Sequence, residues 1–349
     1  MPSLITGGVE RGTVDMAAAI STAGWKAVVA SEGGPMVREI ARTGGVHVTL
    51  PLASKNPFVM RRNVDRLEQL IRDLGVDIVH ARSRAPAWSA KAAAERTGAH
   101  FVTTFHGTYT LGMYGLKRLY NSVMASGERV IAISYFISEH IQRMYGVAPD
   151  RIRVIHRGID MAIFDPNRVS QERIIALAQK WRLPDGYKVI MLPGRLTRWK
   201  GQSVLIEALA ILGRHDIRCL LVGSDQGRSG YRKELTDLIA ARDMTDVAIS
   251  ASTDPEAFGR VVVEAQAMGR PVIVSDHGAP RETVIPNQTG WLVEPGDPHA
   301  LAQALEHFLS LSEAERSTMA QAAQAFVNRE FTREAMCAAT LNVYREVLG

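Results

Sequence analysis

Asp254-Pro255-Glu256-Ala257-Phe258-Gly259-Arg260, running into Val261-Val262-Val263-Glu264-Ala265-Gln266-Ala267-Met268-Gly269, reads as a loop that turns into a helix at Gly259. Pro255 and Gly259 keep Glu256 in the loop, while Glu264 lies one to two turns inside the helix. Eight helical steps of about 100° leave a net rotation of about 80°, so two helical carboxylates at this spacing would not share a face. With Glu256 in the loop, both can point into one cleft. A helix N-terminus beside a glycine also offers free N–H groups to an oxygen-rich ligand. The plainer alternative is an N-terminal capping acid plus a solvated helix glutamate.

Upstream, Pro193-Gly194-Arg195-Leu196-Thr197-Arg198-Trp199-Lys200-Gly201 follows an apolar strand and precedes an amphipathic helix. Arg195 and Lys200 bracket this Gly-rich turn, where a guanidinium, an ammonium and a helix N-terminus could meet a diphosphate. A solvated basic turn is the alternative. Strands at Lys188–Leu192, Arg218–Val222, Asp246–Ser250 and Pro271–Ser275 alternate with helices at Gly201–Leu212, Tyr231–Arg242, Gly259–Met268 and Pro298–Ser310. The first half repeats the pattern: strands at Ala27–Ser31, His47–Leu52, Asp77–Ala81, Phe101–Phe105, Arg129–Ile133 and Ile152–Ile155 alternate with helices at Thr13–Gly24, Asn56–Leu74, Pro86–Thr97, Leu116–Ala125 and Tyr135–Tyr145. Such alternation implies βαβ units and parallel sheets, with ligands beyond the carboxyl ends of the strands. Two such domains in tandem place ligands in the cleft between them. The pattern pauses at Arg157–Pro166, which sets domains at 1–160 and 161–330.

A chain of 349 residues, 46% hydrophobic and 22% charged, is long enough for two domains and too apolar for bulk disorder. No run of eighteen apolar residues and no signal peptide are evident, and two cysteines, Cys219 and Cys337, make no disulfide framework, so a cytosolic protein is expected. Residues 1–160 hold 20 Lys+Arg against 13 Asp+Glu, a balance of +7, whereas residues 161–349 hold 21 against 23, or −2. A basic first half suits an anionic membrane surface or a phosphorylated substrate. Nucleic acid fits less well, because only 6% of residues are aromatic and no basic, aromatic-interleaved pattern occurs.

His106, in Thr104-Phe105-His106-Gly107, ends a buried strand, where cleft residues sit. A lone histidine is more often structural, and this one rises only through its company. Gly7-Gly8 opens the first helix and would let a backbone approach a substrate closely. The spacing Gly7 to Gly12-Thr13 mimics a phosphate-binding loop, but its lysine is missing, which discards an ATPase. No Gly-x-Gly-x-x-Gly, Asp-x-Asp or Gly-x-Ser-x-Gly occurs. These absences count against a dinucleotide oxidoreductase, a metal-dependent sugar transferase and an α/β-hydrolase. No metal ligand set is assigned.

Together these stretches resemble the retaining glycosyltransferases of family 4, from Pro2 to the last helix, and most specifically in the Glu256 and Glu264 pair behind the Gly194-Arg195-Leu196 turn. The resemblance implies an α/β GT-B fold, two Rossmann-like domains with parallel sheets facing across a cleft, the last helix within 331–349 packing back on the first. It also implies roles. Arg195 and Lys200 would hold the donor diphosphate beside Gly194, Glu264 the ribose, and Glu256 the donor sugar, with the Phe258 and Gly259 amides on sugar hydroxyls. His106 would contact the donor sugar, and Gly7 and Gly8 would lie beside the phosphate and acceptor. Ile155-His156-Arg157-Gly158 matches the hinge, with His156-Arg157 in place of the family's Pro-Asn. Two departures stand out: Met1 falls where the family's first strand finishes, and only Asp243-Met244-Thr245 separate the Tyr231–Arg242 helix from Asp246.

The expected activity is a metal-independent hexosyl transfer, without a cofactor beyond the nucleotide diphosphate sugar donor. The acceptor would be a lipopolysaccharide core, another envelope glycolipid or an oligosaccharide. The helix Asn56–Leu74, with Lys55, Arg61, Arg62 and Arg66 near Phe58, Val59 and Met60, suggests peripheral contact with an anionic inner membrane. The rivals are a GT-B sugar-nucleotide epimerase and a non-catalytic glycan- or lipid-binding protein.

Overall fold

Short Val- and Ile-rich runs form parallel strands here because helices can cover both faces of such a sheet. The computed structural model describes residues 1–5, 7–109, 116–225, 227, 229–242, 254 and 256–349. They divide into two units, Met1–Gly158 with Thr332–Gly349, and Ile159–Phe331.

The first unit runs α1 (Gly8–Thr22), β1 (Val28–Ser31), α2 (Val37–Arg42), β2 (Val46–Thr49), α3 (Pro57–Leu74), β3 (Ile78–Ala81), α4 (Arg84–Thr97), β4 (His100–Phe105), α5 (Leu116–Asn121), β5 (Arg129–Ala132), α6 (Tyr135–Tyr145) and β6 (Ile152–Val154). β3, β4, β5 and β6 pair in that order, all parallel, and β1 pairs with β2. Residues of β1 (Val28, Val29, Ala30) and of β3 (Ile78, His80) wall a cavity of about 410 Å³. Residues 1–4 run beside the end of β1: the Met1 ammonium donates to the Ala30 carbonyl at 2.8 Å, Glu32 N–H to Pro2 at 2.9 Å and Leu4 N–H to Gly33 at 2.8 Å. Burial, then the nearby Arg82 charge, pulls the pKa of that amine down to about 5.

α1 starts at Gly8, five residues before the sequence pattern places it. Two helical glycines cost roughly 0.5–1 kcal/mol each, which the buried face of Thr13, Val14, Met16 and Ala17 outweighs. Gly12 has a packing reason as well, since a Cβ there would stand 3.2 Å from Arg82 Nη2 and 3.5 Å from Arg157 Nη1.

The second unit runs α7 (Gln171–Lys180), β7 (Lys188–Pro193), α8 (Gln202–Leu212), β8 (Ile217–Val222), α9 (Ser229–Arg242), α10 (Arg260–Ala267), β9 (Val272–Ser275), α11 (Pro280–Thr283), β10 (Gly290–Val293), α12 (Pro298–Ser310) and α13 (Glu313–Glu330). β7 pairs with β8 and β9 with β10, all parallel, around one core that includes Leu192, Leu205, Ile273, Trp291 and Leu305. The expected strand Asp246–Ser250 and the link before it lie outside the described residues. Sequence periodicity passes over α7, β10 and α13. In α13 the buried stripe is narrow, Met319, Ala323, Phe326 and Val327, although Ser312 and Glu315 form a full capping box.

The chain then returns to the first unit as α14 (Arg333–Leu348), capped by the Thr332 hydroxyl, which accepts from Ala335 N–H at 3.1 Å. Cys337, Leu341, Val343 and Tyr344 join Met16, Val102, Ile131 and Ile155 in one cluster. Two apolar residues at the ends of this segment lie outside that cluster. Phe331 belongs to the second unit, edge-on to Phe258 at 5.6 Å and to Phe326 at 5.3 Å between ring centroids, and Leu348 is exposed.

Candidate active site

In the second unit, β7 ends at Pro193 and the chain turns through Gly194 and Arg195 before entering α8. Gly194 N–H donates to Val222 O at 2.8 Å, and the buried Gln202 amide donates to Arg195 O at 2.9 Å, which clamps the turn from both sides. At its far end the Lys200 ammonium sits 4.3 Å from the Trp199 ring centroid and pairs with the Glu256 carboxylate. Each of these two side chains is only 13% exposed. Opposite charges in contact at an effective dielectric near 20 attract by about 4–5 kcal/mol before desolvation is counted. Glu256 is positioned by its backbone, whose carbonyl accepts from Ala279 N–H at 2.9 Å and which bridges to Gly278.

Gly194 and Lys200 come together here, since a Cβ at Gly194 would lie 3.6 Å from Lys200 Cδ. The Arg195 side chain is exposed and makes no ion pair among the described residues. Glu264, one of the expected pair of carboxylates, is held instead by Arg260, Nη2 to Oε1 at 3.1 Å. The spacing of four residues on α10 explains that choice, because it sets the two side chains on one helix face. Burial pushes the Glu264 carboxyl above its usual range, and Arg260 partly offsets this. Gly259 caps α10 with φ at 79°, in the left-handed region. The Phe258 ring is buried against Phe331.

In the first unit, the carboxyl ends of three parallel strands and the start of α1 bring together residues far apart in sequence. Arg82 follows β3, His106 follows β4, and Arg157 stands three residues beyond β6. Arg157 is 7% exposed, and donates from Nη1 to Gly8 O at 2.6 Å and from Nη2 to His106 Nδ1 at 2.7 Å. His106 Nε2 is buried and has no hydrogen-bond partner among the described residues. Burial above all, then the charges of Arg157 and Arg82 and the neighbouring His80, push the His106 pKa well below the ordinary imidazole value. His80 is itself fixed on both sides, Nδ1 to Tyr344 Oη at 2.6 Å and Nε2 to Thr104 Oγ1 at 2.7 Å. A cavity of about 200 Å³ opens here, lined by Val9, Arg82, Arg84, His106 and Tyr109 among others. Gly7 caps α1 in extended backbone.

Sequence reasoning gave Arg157 only a place in the hinge segment, next to which the two units divide; it is also a buried bridge between His106 and Gly8. Arg82 was missed altogether. The available signal was its position, an arginine directly after a strand whose neighbours end in cleft residues. Among the described residues no group of three His, Cys, Asp or Glu side chains could hold a metal ion.

Two glycosyltransferase families match the chain, Glycosyltransferase Family 4 over residues 6–163 and Glycosyl transferases group 1 over residues 187–310. A glycosyltransferase crystal structure from Rickettsia africae ESF-5 is 35% identical, with a TM-score of 0.89, and the match covers 99% of this chain and 98% of that one. The D-inositol 3-phosphate glycosyltransferase of Xylanimonas cellulosilytica is 28% identical over 310 residues, 77% of this chain and 72% of the relative. HepE of Anabaena, solved in complex with UDP, is 20% identical with a TM-score of 0.83, over 99% of this chain and 100% of that one, and shows the fold. The architecture is therefore GT-B, with parallel α/β sheets in two Rossmann-like halves. This chain belongs to the glycosyltransferases, family 4 in its first half and group 1 in its second.

Proposed function

We propose that this glycosyltransferase is retaining and metal-independent. Its donor is a nucleoside diphosphate hexose, and its acceptor a bacterial envelope glycolipid of the lipopolysaccharide-core type. The observation that carries the reading is the Lys200 ammonium, withdrawn from water at the start of α8 and held by Glu256. A diphosphate is the ligand that competes for such an ammonium, and its arrival frees Glu256 to accept from a sugar hydroxyl. The bond from the anomeric carbon to the diphosphate oxygen breaks, and its electron pair leaves with the diphosphate. Lys200, Arg195 and the N–H groups at the start of α8 oppose that growing charge. The acceptor hydroxyl bonds to the same face of the carbon and passes its proton to the departing phosphate oxygen, so configuration is retained. Glu264 takes the ribose, and the Phe258 and Gly259 amides take sugar hydroxyls, with Gly194 beside the diphosphate. His106, Gly7 and Gly8 serve the reacting sugar and the acceptor. The UDP bound to HepE and the glycosyl transfer named for the Xylanimonas relative support a nucleotide sugar donor.

The test is release of nucleoside diphosphate from UDP-, GDP- and ADP-hexoses, with envelope glycolipids or inositol phosphate as acceptor and with excess chelator. Acceptor-dependent release that survives chelation, with an unchanged anomeric configuration in the product, is expected. Loss of activity on chelation would remove metal independence. Conversion of donor without release would mean an epimerase, and no calorimetric binding of nucleoside diphosphates at millimolar concentration a non-catalytic protein. Lys200→Ala should lower turnover by one to three orders of magnitude, about 1.5–4 kcal/mol.

The acceptor reading extends to the membrane. No helix among the described residues is long and apolar enough to cross one. At the start of α3, however, Phe58 is 79% exposed next to exposed Lys55, Arg61 and Arg62. Each basic residue near anionic lipid contributes about 1 kcal/mol, screened by salt. Salt-reversible co-sedimentation with anionic vesicles, weakened by Arg61→Glu and Arg62→Glu, is expected. Equal binding to neutral vesicles would remove the membrane from the reading.

A further inference from the structure

His106 has two ring nitrogens in different situations: Nδ1 receives an Arg157 Nη2–H at 2.7 Å, and Nε2 is buried with no partner among the described residues. A guanidinium has five donors and no acceptor and stays protonated at any pH the fold survives. The nitrogen facing it must therefore present a lone pair. In a neutral imidazole that places the single proton on the other nitrogen.

We propose that Arg157 is a positioning residue that fixes His106 as the neutral tautomer carrying its proton on Nε2. His106 is then a hydrogen-bond donor to a ligand oxygen and cannot act as a base through Nε2, because that nitrogen already holds the proton. The assignment adds to the role proposed above, where His106 serves the reacting sugar, by stating the direction of its hydrogen bond.

Three features make Arg157 suited to the task. The residue is 7% exposed, so water competes little for it. Its other arm is anchored by Gly8 O at 2.6 Å, at the first turn of α1, so the planar fork has a fixed orientation. Gly12, one turn further along α1, lies beside it, where a Cβ would stand in ordinary contact with Arg157 Nη1 at 3.5 Å. Protonating His106 would put an N–H against the guanidinium and break the 2.7 Å bond. The other titratable or charged groups around the ring are Arg82 and His80 from β3 and its end, Arg84 at the start of α4, Glu10 of α1, the Met1 ammonium, and Tyr109, whose pKa burial pushes up to about 12. Arg82, Arg157 and His80 all act against a charged His106.

Long-range ¹H–¹⁵N correlation spectra of the full-length, ¹⁵N-labelled protein read the tautomer directly, with the His106 signals assigned by their loss in His106→Asn. The wild type should show Nε2 protonated and Nδ1 bare at neutral pH, and that spectrum alone tests the assignment if variants fold poorly. Arg157→Met should give mixed tautomers and raise the proton affinity of His106 about tenfold, one pKa unit, whereas Arg157→Lys should restore the Nε2–H form. In catalysis, the acid limb of kcat/KM should move up in pH for Arg157→Met and return for Arg157→Lys. A wild-type spectrum with Nδ1 protonated, or an Arg157→Met protein with unchanged tautomer and titration, overturns the proposal. A correct tautomer in a protein that releases no nucleoside diphosphate would instead sink the transfer reading and leave Arg157 in its role.

Discussion

Lys200 and Arg157 are both cations withdrawn from water beyond the carboxyl ends of parallel strands, yet they are stabilised in different ways. Lys200 rests against a carboxylate brought in by the loop before α10. Arg157 donates to a carbonyl oxygen and an imidazole nitrogen. The first arrangement ties the stability of two charged groups together. The second includes directional bonds to neutral acceptors, which orient a ring. On the proposed roles, an incoming anion would disturb the first arrangement, whereas the second would hold a donor group still.

The sharpest way to break this contrast is to remove one member of the ion pair. Lys200→Met should cost about 3–5 kcal/mol, because it breaks a buried ion pair. Lys200→Met combined with Glu256→Gln should recover most of the loss. Equal denaturation midpoints for the single and double variants would show that the pair is not coupled.

Acid separates the two units next. The folded pKa values of His80 and His106 lie well below the unfolded value near 6.5, so the unfolded chain binds more protons below that pH. Their contribution is therefore present above pH 6.5 and lost as pH falls through it, by up to about 1.4 kcal/mol per histidine at pH 5.5. Glu264 works in the opposite sense: its raised pKa gives stability that is present in acid and lost as pH rises through the folded value. Hydrogen-exchange protection factors, which correct for the intrinsic pH dependence of exchange, should fall between pH 7 and 5.5 around β3, β4 and α1 and not in α10. A uniform fall would erase the distinction.

Arg157→Met should cost less than the broken ion pair, about 2 kcal/mol for the acceptors it leaves unmatched, measured by urea unfolding. A loss as large as that of Lys200→Met would mean that Arg157 is held mainly by charge. The smallest effect is expected for Gly259→Ala. Its Cβ meets nothing nearer than 3.5 Å, so the cost is the left-handed backbone alone, about 1 kcal/mol. A larger loss would mean that the α10 N-terminus tolerates no adjustment.

Most strands and long helices lie within a few residues of where periodicity puts them, and α12 spans the same residues, Pro298–Ser310. The start of α1 was hidden because glycines read as a loop until the arginines packed against Gly12 are seen. The turn that holds Gly194 and Lys200 was legible from its glycines and position after a strand. The partner of Glu264, Arg260, lies four residues back on the same helix, a spacing that by itself does not separate an intrahelical pair from a ligand-facing carboxylate.

The sequence by itself determined the parallel α/β class, the alternation of elements and the strand ends where functional groups gather, because hydrophobic period and turn chemistry act over a few residues. Only the tertiary structure decided which charges meet. Lys200 and Glu256 are 56 positions apart, His106 and Arg157 51, and Gly8 and Arg157 149. No periodic signal spans such separations. Those contacts follow from the order in which parallel strands line up their carboxyl ends, and from which side chains burial then leaves facing one another.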